Sequence, residues 1–310
     1  MFADLHLHTS FSDGTYTPEE LALHARRHGL SAVALTDHDT VEGCARMSAA
    51  CRQNGLEFVP GSELTAELDG VELHLIGYFI DTEHPRLLEE MAKFQAVRQN
   101  RIREMVARLN KINVPLEADA VFAIANCRSP GRPHVGRALV QAGICATLDE
   151  AFERFLKKHR PAWVPKFKIS AVDAIALIHE AGGVAVLAHP GLNRSDDVIP
   201  LLVEAGMDGI ECYHTKHTPS TCERYLTVAE ECRLIVTGGS DCHGLNKGKP
   251  LIGTIKLPYS HVLELNSRAS EIRRGRPAPA SSHQIPLAPS LSSSGRKGVR
   301  GAEGDSRHFH

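Results

Sequence analysis

Short apolar runs that close on a histidine or a carboxylate recur along this 310-residue chain, with helix-like stretches between them. "FADLHLH" ends in His6 and His8, "SAVALTDH" in Asp37 and His38, and "LEFVPGSE" in Glu63. "VELHLIGYFI" carries His74, "GVAVLAH" ends in His189, and "LIVTGGSDCH" ends in Asp241 and His243. The polar loop after the first run adds Asp13. Strand–helix alternation predicts an α/β fold with a parallel sheet and helical crossovers. The number of strands before Gly253 suggests a barrel rather than a small open sheet. In a barrel of parallel strands these ends share one mouth. Residues two apart on a strand point the same way, so His6/His8 and Asp241/His243 can each aim at one centre.

Local signals support the alternation. Thr17, Pro18 and Glu20 form a capping-box helix start, and Gly29 ends that helix. An Ala-rich helix over 41–54 stops at Gly55. From 85 to 160 the pattern turns almost wholly helical, as in "QAVRQNRIREMVARLNK", and reads as an inserted subdomain. Segments 1–84 and 161–276 then form a discontinuous body, with Trp163 and Val164 returning the chain to it. Residues 277–310 are rich in Ser, Pro and Gly and predict a disordered tail.

A lone core histidine is ordinarily satisfied by a backbone carbonyl, and Asp37 and Asp39 could be plain helix N-caps, Asp39 above all. The full set resists that reading. Six histidines and three carboxylates packed at apolar strand ends would leave many buried polar groups unpaired, at about 1–3 kcal/mol each. A bound metal cluster removes the cost. Nitrogen and oxygen donors without sulfur suit manganese, zinc or iron, and the sequence does not choose among them.

Other classes are disfavoured. A net charge of -2 argues against a globally basic nucleic-acid surface. No apolar run approaches a membrane span, and no charged-then-apolar leader precedes the first strand, so neither membrane anchoring nor secretion is expected. Eight cysteines without a CxxC pair read as reduced thiols of a cytoplasmic protein. GxGxxG, P-loop and GxSxG motifs are absent.

"DLHLHTSFSDGT", "ALTDHDT", "PGSELTA", "HLIGYFI", "AHPG" and "GSDCHG" resemble, in order, the motifs of the PHP (polymerase and histidinol phosphatase) family, from Phe2 to about Leu257. The helical insertion and "GIECYHTKHTP" are similar to its stand-alone nucleotide phosphoesterases, among them 3',5'-nucleoside bisphosphate phosphatases and 5'→3' exoribonucleases. The resemblance implies a distorted seven-stranded β/α barrel and three divalent metal ions, manganese foremost, with zinc or iron as alternatives. It implies that His6, His8, Glu63 and Asp241 hold one ion. Glu63 would bridge to a second on His74 and His189, and Asp13, His38 and His243 would hold the third. Cys242 stands where an aromatic residue is common, and strand alternation points its thiol away from the metals.

The expected activity is hydrolysis of a phosphate ester of a small nucleotide or short 5'-phosphorylated oligonucleotide by metal-activated hydroxide, with Glu63 and Asp241 essential. Arg132, His134 and Arg137 lie at a predicted helix start, which can bind phosphate or be a solvated basic turn. His217 is a candidate phosphate ligand or leaving-group acid, or else a surface-loop histidine. The alternatives are a histidinol-phosphate phosphatase, disfavoured by the insertion, and a non-catalytic nucleic-acid-binding scaffold, disfavoured by the complete ligand set. No membrane or protein partner is expected.

Overall fold

A computed structural model describes residues 1–193 and 196–275, so the expected tail over 277–310 lies outside the described residues. Among the described residues nine strands form one sheet: β1 (Phe2–Asp4), β2 (Ala32–Leu35), β3 (Glu57–Leu68), β4 (Val71–Tyr78), β5 (Ile169–Ser170), β6 (Val184–Leu187), β7 (Gly209–His214), β8 (Ile235–Gly239) and β9 (Leu257–Pro258). Seven of them, β8-β7-β6-β4-β3-β2-β1, make the wall. Its two ends meet. Leu5 N–H donates to the Gly238 carbonyl at 3.2 Å, His8 N–H donates to Cys242 at 3.0 Å, and Leu7 bridges Cys242 in parallel. Gly239 permits this closure, because a Cβ there would lie 2.3 Å from the His6 Cβ. The two-residue strands β5 and β9 pair outside the ring, on β3 and β1.

Two apolar layers follow from side-chain alternation. Ala3, Leu5, Ala32, Ala34, Val59, Ile76, Tyr78, Val184 and Val186 come from five different strands yet form one cluster, which places them inside the ring. Tyr78 fits there because its hydroxyl donates to the Leu5 carbonyl at 2.8 Å. Helix α11 (Ser260–Arg273) adds Val262, Leu265 and Ala269 to that cluster. The intervening residues, such as Val33, Leu35, Leu73 and Leu75, face outward. They pack under α1 (Pro18–Arg27), α2 (Cys44–Asn54), α7 (Ala171–Glu180), α9 (Ile199–Glu204) and α10 (Pro219–Cys232). The short α8 (Pro190–Asn193) follows β6.

Between β4 and β5 lie α3 (Pro85–Lys111), α4 (Ala118–Ala125), α5 (Arg132–Gln141) and α6 (Leu148–Ala151), the last running into a π-helical turn at Phe152–Leu156. These helices bury their own cluster, including Ile102, Met105, Leu109, Val135, Leu139 and Leu156. The segment is fastened to the barrel by Arg98, which pairs with Asp39 at 2.6 Å, and by Ser129, whose hydroxyl donates to the His38 carbonyl at 2.5 Å.

The Thr17 capping box and the left-handed Gly55 stop form as the sequence predicts. The all-parallel expectation is corrected. β3 and β4 are antiparallel, and β4 is antiparallel to β6 as well. Asp69 and Gly70 both have positive φ (50° and 79°), the geometry of a two-residue hairpin turn that matches strand twist. A second correction concerns Asp39. Helix α2 begins at Cys44 with Gly43 as its N-cap, so Asp39 does not cap it. Asp39 accepts instead from Arg98 and from the Thr65 N–H.

Candidate metal centre

Glu63 sits on β3 two pairs of residues beyond Val59, on the same inward face, where the apolar filling ends. It is 1% exposed, and its two oxygens face different imidazoles. Oε2 lies 3.1 Å from His38 Nδ1, 3.3 Å from His8 Nε2 and 3.4 Å from His6 Nε2. Oε1 lies 2.7 Å from His74 Nδ1 and 3.0 Å from His189 Nε2. Burial would raise this carboxyl's pKa, but the imidazoles of His74, His38 and His6 hold it well below the usual carboxylate range.

The remaining residues expected at the mouth gather around it. Asp241 Oδ1 is 3.3 Å from His8 Nε2 and 3.6 Å from His6 Nε2. His243 Nε2 is 3.2 Å from Asp13 Oδ1, and His38 Nε2 is 3.9 Å from the same oxygen. The loop bearing Asp13 is fixed by Asp37, a buried carboxylate that accepts from Thr9 N–H at 2.7 Å and from the Ser12 hydroxyl at 2.6 Å. Four groups of three or four side chains offer ligand atoms within 4.8 Å of one another: His8/Asp13/His38/His243, His6/His8/Asp241, His6/Glu63/His189 and His38/Glu63/His74.

The donor set fits divalent cations. His6 Nε2, both His8 nitrogens, Asp13 Oδ1 and His38 Nδ1 are buried without a geometrically sound hydrogen bond, although acids surround them. A cation between these atoms would satisfy them together. The Cys242 thiol packs in the outer apolar layer and accepts from Gly244 N–H at 3.4 Å, leaving the donors nitrogen and oxygen only.

A cavity of about 410 Å³ opens over this cluster. Its floor is Asp13, His38, Glu63, His74, His189, Asp241 and His243, and Arg98, Arg101, Arg132 and Lys166 line its wall. Lys166 Nζ stands 3.3 Å from His74 Nε2 and 3.2 Å from Glu72. Burial, then the neighbouring Arg132 and Arg98, push Arg101 down to about 9. Burial also lowers Lys166. Asp39 pairs with Arg98 and Glu72 with Lys166, while among the described residues Arg101 and Arg132 have no acid within ion-pair distance, which makes their part of the wall receptive to anions.

Two residues predicted to grip phosphate are spent elsewhere. His134 Nδ1 accepts the Gly131 N–H at 2.9 Å, closing the first turn of α5, and burial pushes its pKa down to about 4. His217 Nδ1–H donates to the Cys212 carbonyl at 2.8 Å, and its Nε2 accepts from Gly191 N–H at 3.3 Å. Neither lines the cavity, and His217 has no free nitrogen to serve as an acid. Arg137 donates to the Asp13 carbonyl at 3.2 Å, so it braces a candidate ligand loop from outside the cavity. Arg132 does reach the wall, packed over the Phe152 ring at 5.7 Å.

Sequence reasoning missed Arg98 and Arg101, which share a face of α3 by their three-residue spacing but read as part of a solvated polar face. Lys166 gave no signal. Glu211 and His214 of β7 were also missed. The available clue was a glutamate alternating with apolar residues in "GIECYH".

Comparison with known proteins agrees with this geometry. The family model for the PHP domain matches residues 4–115. A 5'-3' exoribonuclease Rnm of Salmonella typhimurium is 32% identical over 247 residues, 77% of this chain and 84% of that protein. A 3',5'-nucleoside bisphosphate phosphatase of Chromobacterium violaceum is 31% identical over 264 residues, 82% of this chain and 92% of that protein. The crystal structure of a Bifidobacterium adolescentis protein assigned to the metal-dependent phosphoesterases superposes with a TM-score of 0.80 at 36% identity, covering 86% of this chain and 96% of that one.

Proposed function

The chain belongs to the PHP family of phosphoesterases, and we propose that it hydrolyses a phosphate ester of a small nucleotide, either a 3',5'-nucleoside bisphosphate or a short 5'-phosphorylated oligonucleotide. That it is a phosphoric ester hydrolase comes with the family. The substrate class is our reading, and relatives named for exoribonuclease and bisphosphate phosphatase activity support it.

The observation that carries the reading is Glu63, whose two oxygens face two sets of histidines at 3.4 Å or less. Following the family resemblance, we assign His6, His8, Glu63 and Asp241 to one ion, Glu63, His74 and His189 to a second, and Asp13, His38 and His243 to a third, and the close approaches around Glu63 and Asp13 support it. Manganese is preferred, with zinc or iron as alternatives. When bound, such ions supply Lewis acidity toward phosphate oxygens and acidify water.

The protein's own residues do the rest. Glu63 and Asp241 present acceptor oxygens to the centre and neutralise its charge. Arg132, with Arg98, Arg101 and Lys166 on the same wall, binds a substrate phosphate above the floor. The helical segment 85–160 contributes the three arginines, so it acts as a substrate cap on a barrel of 1–84 and 161–276. A cytoplasmic location belongs to the same reading and is supported by eight free cysteines. Among the described residues no helix is long and apolar enough to cross a membrane.

The test is a panel. Purified protein with Mn²⁺ is given 3',5'-bisphosphoadenosine, a 5'-phosphorylated RNA oligomer and histidinol phosphate, and released phosphate or mononucleotide is measured. Turnover of either nucleotide substrate well above histidinol phosphate supports the proposal. Preference for histidinol phosphate overturns it.

A further inference from the structure

Strand β7 supplies none of the nine side chains assigned to metal, yet it carries two fully enclosed titratable groups against them. Glu211 is 0% exposed and, among the described residues, faces no lysine or arginine within ion-pair distance. Its Oε1 lies 3.0 Å from His6 Nδ1, and its Oε2 accepts the His189 backbone N–H at 2.8 Å. A carboxylate only accepts, so the proton sits on His6 Nδ1. The lone pair of His6 Nε2 is then available toward Glu63 and Asp241, where that atom is buried and otherwise unpartnered.

His189 needs the second contact. Its φ is 30°, a left-handed conformation that costs a side-chain-bearing residue energy and persists only when its surroundings enforce it. Glu211 thus holds one candidate ligand by its ring and another by its backbone. Those candidate ligands lie just beyond β1 and just beyond β6 and serve different ions in the assignment above. His214 makes a parallel arrangement. Its Nδ1 accepts the Lys216 N–H at 3.2 Å, which puts its proton on Nε2, and Nε2 faces Asp241 Oδ2 at 3.5 Å.

We propose that Glu211 is a positioning residue of the metal centre, fixing the ring state of His6 and the backbone of His189, and that His214 orients Asp241 in the same way. Outer partners of this kind typically change metal affinity by about 10–100-fold when removed. The inference rests on the metal-centre reading above.

The experiment follows metal retention, not turnover. Wild type, Glu211→Gln, Glu211→Ala and His214→Phe are purified in Mn²⁺, dialysed against a series of chelator concentrations, and their metal content and Tm measured. Glu211→Gln is nearly isosteric and can still accept from His189 N–H, so its Tm should stay close to wild type. It should nonetheless lose metal at about tenfold lower chelator. Glu211→Ala should lose metal as readily and also unfold earlier, and His214→Phe should weaken retention through Asp241. Glu211→Gln retaining metal like wild type overturns the proposal. Wild type that holds no metal at any chelator concentration instead overturns the metal-centre reading itself. A ¹⁵N imidazole spectrum of zinc-loaded wild type gives an answer independent of any variant: His6 protonated on Nδ1 supports the inference, and His6 protonated on Nε2 contradicts it.

Discussion

Glu63 meets His74 across a hairpin, Oε1 to Nδ1 at 2.7 Å, while the opposite oxygen of the same carboxylate faces His38 at 3.1 Å. One side chain therefore joins histidines from β4 and from the loop after β2. The first contact depends on β4 running antiparallel to β3, which places His74 opposite Thr65 on the mouth side of the strand, and the second on β2 running parallel to β3, with His38 bridging Glu63.

Glu63→Gln should remove activity while leaving a folded protein. The amide keeps the volume but loses the negative charge, and its NH2 group replaces one of the two oxygens that would bind a cation. Steady-state assay with saturating Mn²⁺ should show kcat reduced on the order of 10³-fold, about 4 kcal/mol of transition-state stabilisation. A variant with more than a tenth of wild-type kcat would count against the assignment of Glu63.

Arg132→Ala should act mainly on substrate binding. The guanidinium lies on the cavity wall and not on the floor. A loss of tenfold or more in kcat/KM, carried chiefly by KM, is expected, since ground-state grip is removed. Unchanged kinetics would show that phosphate is held elsewhere on the wall.

His217→Ala distinguishes scaffold from acid. Both ring nitrogens are engaged by backbone groups, so removal leaves the Cys212 carbonyl and the Gly191 N–H unpaired. Stability should fall by about 1–3 kcal/mol, read by denaturant titration. The shape of the kcat–pH profile should not change. Loss of one limb of that profile at unchanged stability would restore the acid role.

His134 gives a pH dependence with a definite sign. Its folded pKa of about 4 lies below the ordinary 6.5, so the unfolded chain takes up a proton that the folded chain refuses. The neutral ring's contribution is complete above about pH 6.5 and is lost as pH falls toward 4, about 3 kcal/mol in all. His134→Gln keeps an acceptor for Gly131 N–H without titrating. The stability difference between wild type and this variant should therefore shift by that amount, against wild type, between pH 7 and pH 4. A difference independent of pH would contradict it.

The candidate ligands are legible because all of them but Asp13, which lies in the polar loop after the first run, sit in short apolar runs whose period places them at the mouth. His6, Glu63 and Asp241 need only strand alternation and barrel closure to meet. The direction of β4 was not read, although Asp69-Gly70 states it, because apolar strands separated by helices elsewhere suggested one uniform crossover. The basic wall was hidden for another reason. Arg98 and Arg101 look like any exposed helix face until the tertiary fold lays α3 across the mouth. His134 and His217 misled because a histidine near glycine or a helix start serves the backbone as readily as a ligand, and only the partner atoms decide. Glu211 was obscured by its own strand, since a buried carboxylate acquires meaning only from His6, 205 residues away in the chain.

Anomalous diffraction from crystals grown with Mn²⁺, recorded at the manganese edge, tests the central claim most directly. Two peaks within coordination distance of Glu63, one shared with His6, His8 and Asp241 and one with His74 and His189, and a third beside Asp13, His38 and His243, are the predicted result. A map with no anomalous density around Glu63, from protein that still hydrolyses its nucleotide substrate, would contradict it.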